Sequence, residues 1–465
     1  MKQLLIYNIG LLLVDNHHKP FLAGREMAEA DILHDAWLLV EDGRIKDFGT
    51  GTYPSPLTIQ GDFQSPHQIE NRKSANRKSI DAHGGAVLPS FCDSHTHLVY
   101  AGSREGEFVD KIQGLSYAEI ARRGGGILNS ADRLHAMSED ELYNQAMVRI
   151  REIIKKGTGA VEIKSGYGLN TDDELKMLRV IQRIKETTPL RVVSTFLGAH
   201  AVGRGFTQEQ YVDLVVNEMI PEVARQHLAD FIDVFCDDGF FTPAETHRIL
   251  EAGPKYGLRG KIHGQELADS GGVEVAVACG ALSVDHLESM TDADIRLLSD
   301  KLRVKSEEFT VESSGFATTV PSADGIAAAN SSLFTLHSSL PTIPTALPGT
   351  SFFLNMPFAP ARKMIDSGLP VAIASDYNPG STPSGDMKFV VSLACIKQRL
   401  LPIEAIHAAT LNAACAMGLS HDYGSIAKGK VANFYITEPI PSLDFFPYAY
   451  TTPLIKQVFL SGQEI

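Results

Sequence analysis

From residue 85 to about 420 the chain alternates between short runs of apolar, often β-branched residues and longer stretches whose apolar positions recur every three or four residues. The first pattern predicts strands buried on both faces, and the second predicts amphipathic helices. GAVLPSFCDSHTH, GAVEIKSGYG, LRVVSTFLGAH and LRGKIHGQE are the predicted strands, and SEDELYNQAMVRIREIIKKG, DELKMLRVIQRIKETT and TPAETHRILEAGPKYG the predicted helices. Alternation sustained over most of a chain argues for an α/β fold with parallel strands, either doubly wound or closed as a barrel. Several of the runs end in a histidine or aspartate at the edge of a polar loop. Barrel enzymes build their sites from the C-terminal ends of many strands, so the pattern predicts a (β/α)8 TIM-like barrel.

The two ends of the chain read differently. LLLVD, AWLLVEDGRI and KDFGTGTY, with Asp42-Gly43 marking a tight turn, predict short strands before residue 55; GSIAKGKVANFYITEP and TPLIKQVFLSGQEI predict the same near the C-terminus. Residues 1–84 and 421–465 are therefore expected to pair into a small β-sandwich domain beside a barrel spanning 85–420. Residues 57–80 are polar and aperiodic and predict an exposed excursion; residues 304–340, rich in Ser, Thr and Ala, predict an insertion between barrel units. Gly124-Gly125-Gly126 is not followed by Gly-Lys-Ser/Thr, which favours a flexible turn over a phosphate loop.

Composition narrows the function. With 465 residues, 44% hydrophobic and 21% charged, the chain has the make-up of a globular protein, which excludes disorder of the whole. The 42 basic and 56 acidic residues leave a formal charge of -14, which argues against nucleic acid or an anionic membrane as main partner and leaves a small-molecule enzyme as the leading class. Five cysteines without a CxxC pair point to a reducing cytoplasm. Asn8 and Gly10 break the apolar N-terminal run, so it reads as a strand and not as a signal peptide.

The sharpest chemical signal is His95-Thr96-His97, two residues beyond Asp93. In extended chain, positions i and i+2 share a face, so both imidazoles can reach one metal ion. His200, His263, His286 and Asp376 each stand where a predicted strand runs out. Imidazoles and a carboxylate gathered at the open end of a barrel suit zinc or another first-row ion.

HTHLVYAGSREGEF, EIKSGYGL, STFLGAHA, KIHGQE, VDHLE and ASDYNPGS, in that order, resemble the amidohydrolase superfamily and within it the imidazolonepropionase family. The resemblance implies that His95, His97, His263 and Asp376 ligate one divalent or trivalent ion per subunit, zinc or iron, which lowers the pKa of a bound water to about 7 and gives a hydroxide nucleophile. It implies further that Asp376 shuttles the proton, His286 stabilises the oxyanion and Arg104 binds the propionate carboxylate. Tyr167, His200 and Glu266 would surround the ring, with Glu266 also counted among the catalytic groups, and Asn378, Gly380 and Ser381 would contact substrate or product. The implied reaction is hydrolysis of the cyclic amide of 4-imidazolone-5-propanoate to N-formimidoyl-L-glutamate in histidine degradation, by a homodimer.

Two-metal relatives carry a carboxylated lysine on the fourth barrel strand. His200 is expected in that neighbourhood, which favours one metal; Lys164 stays open as a further ligand. A nucleobase aminohydrolase on the same metal site is the rival within enzymes, and Arg104 counts against it because a neutral base offers no carboxylate. A catalytically silent relative would have lost ligands, and all four are present. Ala432-Asn433-Phe434 departs from the Ala-Asp-Leu found in many amidohydrolases.

Overall fold

The computed structural model describes residues 2–53, 77–115, 119, 123, 125–313 and 340–465. Most of the 57–80 excursion, most of the 304–340 insertion and Gly124 lie outside these residues. Within them, residues 77–80 belong to a strand and the helix Asp292–Ser313 runs well past 304, so both irregular segments are shorter than the composition suggested.

Five strands come from the N-terminal segment: β1 (Gln3–Val14), β2 (Asp31–Glu41), β3 (Arg44–Thr50), β4 (Arg77–Asp81) and β5 (Ala86–Pro89). Eight parallel strands then form the barrel: β6 (Phe91–Asp93), β7 (Thr158–Lys164), β8 (Arg191–Ala199), β9 (Phe231–Cys236), β10 (Arg259–Gly264), β11 (Ser283–His286), β12 (Ile343–Ala346) and β13 (Ala372–Ile373). They follow one another in chain order around the sheet. The circle closes where Thr96 pairs with Tyr377, through Asp376 N–H to His95 O at 3.0 Å and His97 N–H to Tyr377 O at 3.0 Å. Helices cover the outside, and their starts follow from sequence. Ser138 and Thr242 make reciprocal capping boxes with Glu141 and Glu245, and Asn170 caps the helix Thr171–Thr187.

The run GAVLPSF, read as one strand, divides at Ser90. Its first half joins the terminal sheet and its second half opens the barrel. Two barrel strands were missed: β9, whose FIDVFC carries a charge in the middle of an apolar run, and β12, whose short IPTA contains a proline.

β14 (Phe434–Thr437), β15 (Ile455–Leu460) and β16 (Gln463–Glu464) from the C-terminus join β5, so both chain ends share one mixed sheet. The first half of β1 pairs with β4 and the second with β5. The sheet curls around a core that includes Ile6, Leu38 and Ile45 from one end and Phe434, Ile436 and Phe459 from the other. Ile45 N–H to Lys430 O and Ala432 N–H to Gly43 O, both 2.9 Å, draw its flanks together. Asn433 ties this sheet to the barrel: its amide donates to Gly159 O at 3.0 Å and its oxygen accepts from Ser461 N–H at 2.7 Å. Among the described residues no helix is long and apolar enough to cross a membrane, and all five cysteines are free thiols.

Candidate active site

The extended backbone after β6 puts His95 and His97 on one face, at the C-terminal mouth of the barrel. His263, the penultimate residue of β10, reaches the same point from across the mouth, and Asp376 reaches it from beyond β13. His97 Nε2 and His263 Nε2 stand 3.4 Å apart, and Asp376 Oδ1 lies 3.6 Å from both His95 Nε2 and His97 Nε2. Ligands about 2.1 Å from a tetrahedral zinc ion are separated by roughly 3.4 Å, so the spacing matches one ion's coordination shell. His95 Nε2 is buried without a hydrogen-bond partner, an orphaned nitrogen that a metal would satisfy. Burial, and next the Lys164 charge for His95 and His200 for His97, hold both imidazoles well below their ordinary pKa, in the neutral form that ligates. The residues present therefore fit a metal ion.

Beneath the histidines lies a layer of charge that the sequence reading did not anticipate. Glu162, Lys164, Asp233, Lys261 and Asp285 are buried in the barrel interior. Asp285 Oδ2 lies 2.7 Å from His95 Nδ1, and Asp233 Oδ2 lies 3.0 Å from His263 Nδ1. A carboxylate hydrogen-bonded to Nδ1, as Asp285 is to His95, orients an imidazole so that Nε2 faces the metal, while Asp233 holds His263 by its charge and by accepting from the His263 backbone N–H at 3.1 Å. Lys164 Nζ donates to Glu162 Oε1 at 2.6 Å and to Asp233 Oδ2 at 2.7 Å. Burial alone would push this ammonium down, but Asp233, Glu162 and Asp285 together hold it above its ordinary value. Lys164 is thus ion-paired with the carboxylates around it. His200 follows the third barrel strand, β8, and not the fourth, which is β9 and comes later in the chain. The fourth strand supplies Asp233.

Two strained turns aim the remaining groups. His286 and Leu287 have φ of 85° and 71° and Asp376 has 54°, the left-handed region that non-glycine residues enter at a cost of order 1–3 kcal/mol each. Asp285 points inward, so a regular strand would turn His286 outward; the left-handed turn returns it to the mouth. There, His95, His286 and Asp376 bring ligand-type atoms within 4.8 Å of one another. Asp376 Oδ2 accepts from Thr350 Oγ1 at 2.6 Å and Ser381 Oγ at 3.0 Å, which leaves Oδ1 for the histidines. Burial nevertheless raises its carboxyl above the ordinary range. Asn378 accepts from Gly380 N–H and Ser381 N–H, both 2.8 Å, and its amide donates to Asp376 O and Ser381 Oγ. In this structure Asn378 and Ser381 build the loop that holds Asp376.

The other residues expected to touch substrate gather around the same mouth. His200 stacks on His97 with centroids 5.3 Å apart, Tyr167 lies 5.5 Å from the His200 ring, and His200 Nδ1–H donates to Gly166 O at 3.0 Å. Glu174 accepts from the backbone of Gly166, Gly168 and Leu169, fixing the loop that carries Tyr167. Glu266 Oε2 and Glu288 Oε2 approach His286 Nδ1 at 3.6 and 3.7 Å, and burial followed by the Glu288 charge pushes Glu266 well above the carboxylate range. Arg104 Nε donates to Ser130 Oγ at 2.9 Å, while its Nη2 is buried and unbonded. A Cβ on Gly380 would stand 2.3 Å from Arg104 Nη1, so that glycine makes room for the guanidinium.

Residues 86–465 match the Amidohydrolase family. An imidazolonepropionase of Christiangramia forsetii is 47% identical over 465 residues, covering 99% of this chain and 100% of that protein. The chain belongs to the imidazolonepropionases of the amidohydrolase family. Another, from Flavobacterium psychrophilum, is 46% identical over 467 residues and the full length of both, and one from Thermoanaerobacter pseudethanolicus is 36% identical over 98% of this chain and 96% of its own. Among solved structures, a triazine hydrolase variant superposes with a TM-score of 0.69 at 15% identity, covering 100% of this chain and 94% of that one. Guanine deaminase from C. acetobutylicum gives 0.64 at 15%, with full coverage of both. At that identity the likeness concerns the fold, a barrel with a small β domain.

Proposed function

We propose that this imidazolonepropionase hydrolyses the cyclic amide of 4-imidazolone-5-propanoate to N-formimidoyl-L-glutamate at the barrel mouth, using one zinc or iron ion held by His95, His97, His263 and Asp376. The observation that carries the substrate assignment is Arg104: a buried guanidinium with an unbonded Nη2, packed against the loop that holds Asp376. A guanidinium fork meets a carboxylate with two parallel hydrogen bonds, which fixes the propionate arm and so the ring.

When bound, a divalent ion supplies acidification of a water and polarisation of the ring carbonyl. The chain's own groups do the rest. Tyr167 and His200 flank the ring against His97. Glu266 hydrogen-bonds a ring nitrogen. Asp376 takes the proton of the attacking water through Oδ1 as the bond to the ring carbonyl carbon forms. That proton passes to the ring nitrogen as the C–N bond breaks. His286 donates to the carbonyl oxygen as negative charge builds there. The five free thiols support a cytoplasmic location, and we infer a homodimer, as the resemblance implies.

The test is hydrolysis of freshly generated 4-imidazolone-5-propanoate by wild type and Asp376→Ala, with zinc and iron quantified in each. Turnover by wild type and its collapse in Asp376→Ala are expected. Metal-loaded wild type that leaves this substrate intact refutes the substrate assignment.

A further inference from the structure

We propose that Lys164 is a positioning residue for the candidate metal centre, binding at once the two carboxylates that orient His263 and His95. The inference rests on the metal-dependent reading of the site. Its basis is that the same oxygen of each carboxylate serves both neighbours. Asp233 Oδ2 stands 2.7 Å from Lys164 Nζ and 3.0 Å from His263 Nδ1, and Asp285 Oδ2 stands 3.6 Å from Lys164 Nζ and 2.7 Å from His95 Nδ1. Lys164, Asp233 and Asp285 are at most 1% exposed, so no water competes for these contacts.

A lysine suits the position because an ammonium is compact: it donates to Glu162 and Asp233 while its charge stands 3.6 Å from Asp285. The i, i+2 relation of Glu162 and Lys164 on β7 sets both inside the barrel, under the histidines. Lys261 has a different assignment: it bonds Glu162 and Ser94 O. Without the Lys164 charge, Asp233 and Asp285 would repel each other across a dry interior and turn away from the imidazoles. Two ligands would then lose their fixed orientation together, and loss of one such outer contact typically weakens metal binding 10- to 100-fold.

The experiment measures zinc affinity by chelator competition for wild type, Lys164→Met, Asp285→Asn and the double variant, with the visible spectrum of each cobalt(II) form. We expect zinc dissociation constants raised at least tenfold in each single variant and an altered cobalt band. The double variant should be no more than about threefold weaker than the worse single one, because both changes remove the same contact. Lys164→Met that binds zinc within about threefold of wild type and keeps the wild-type cobalt spectrum overturns the proposal. Should Lys164→Met not fold, Asp285→Asn and Asp233→Asn are judged by the same criterion. Wild type that binds neither zinc nor cobalt overturns the metal-centre reading itself, and this inference with it.

Discussion

Arg104→Ala separates substrate recognition from chemistry. The Arg104 side chain is 12% exposed; it is held through Nε by Ser130 Oγ at 2.9 Å, with Glu107 Oε1 3.7 Å away, so it needs little ordering when a carboxylate arrives. Each hydrogen bond between charged partners contributes about 1.5–3 kcal/mol, and two of them give about 3–6 kcal/mol. Water entering the space left by the side chain recovers part of this, so the net loss is about 3–4 kcal/mol, or roughly 150- to 1,000-fold in kcat/KM. The propionate arm is remote from the scissile bond, so most of the loss should appear as a raised KM. Gly380→Ala perturbs the same contact without touching the charge. Its Cβ would lie 2.3 Å from Arg104 Nη1, so the guanidinium must shift and KM should rise by roughly tenfold or more. Steady-state kinetics with metal content measured in parallel decides the matter. A change of less than about fivefold in kcat/KM for Arg104→Ala, or metal lost along with activity, would refute the reasoning.

Three further outcomes are expected. Burial, followed by the His263 charge, lowers the His200 pKa from 6.5 to about 3. The unfolded chain takes up this proton and the folded chain does not, so the stability contributed is complete above the unfolded value and drains as pH falls towards the folded one. By linkage about 2 kcal/mol is lost between pH 8 and pH 5, so His200→Gln should flatten the fall in denaturant stability by that amount, and parallel curves would contradict it. Thr350→Val keeps the shape but removes the 2.6 Å hydrogen bond to Asp376 Oδ2, and kcat should fall roughly tenfold with KM within about twofold; an unchanged kcat would show that Thr350 does not position Asp376. Chelation should abolish turnover and lower Tm, with recovery of both on adding zinc or ferrous ion, and a Tm that ignores the chelator would argue against a metal in the buried cluster.

Much of this arrangement was legible in the chain. The alternating pattern gave the barrel because parallel strands covered on both faces read as apolar runs, and the strand-end histidines marked its working mouth. Three things were not legible. The split of GAVLPSF between two sheets depends on tertiary pairing at Ser90, since each half is equally apolar. β9 escaped because Asp233 interrupts an apolar run and weakens the strand signal, and its loss leaves the strand of His263 counted as the fourth when it is the fifth. The supporting carboxylates were passed over because Glu162 and Asp285, though inside EIKSGYGL and VDHLE, had no role of their own there, and Asp233 lies in the unrecognised β9. A charged residue inside a strand otherwise buried on both faces is itself a signal, since it needs a buried partner. Thr350 and Ser351 carried no such mark, and only the fold shows that consecutive residues hold Asp376 and Glu288, at 2.6 and 2.9 Å.

That rule bears on why the interior carries so much charge. Glu162, Asp233 and Asp285 face Lys164 and Lys261, and Asp376 meets the histidines at the mouth, all of them buried. Removing such groups from water costs several kcal/mol each unless they are paired. Lys164 and Lys261 hold Glu162 below the ordinary carboxylate range against burial, and His263 with Lys164 does the same for Asp233. Burial leaves Asp285 and Asp376 above it. They are also the two that meet the histidine cluster, Asp285 behind His95 and Asp376 among the ligand atoms. A divalent cation at that point would add positive charge beside both. The lysines under the floor and the metal at the mouth are then two parts of one charge balance, and loss of either should destabilise the carboxylates that orient the other.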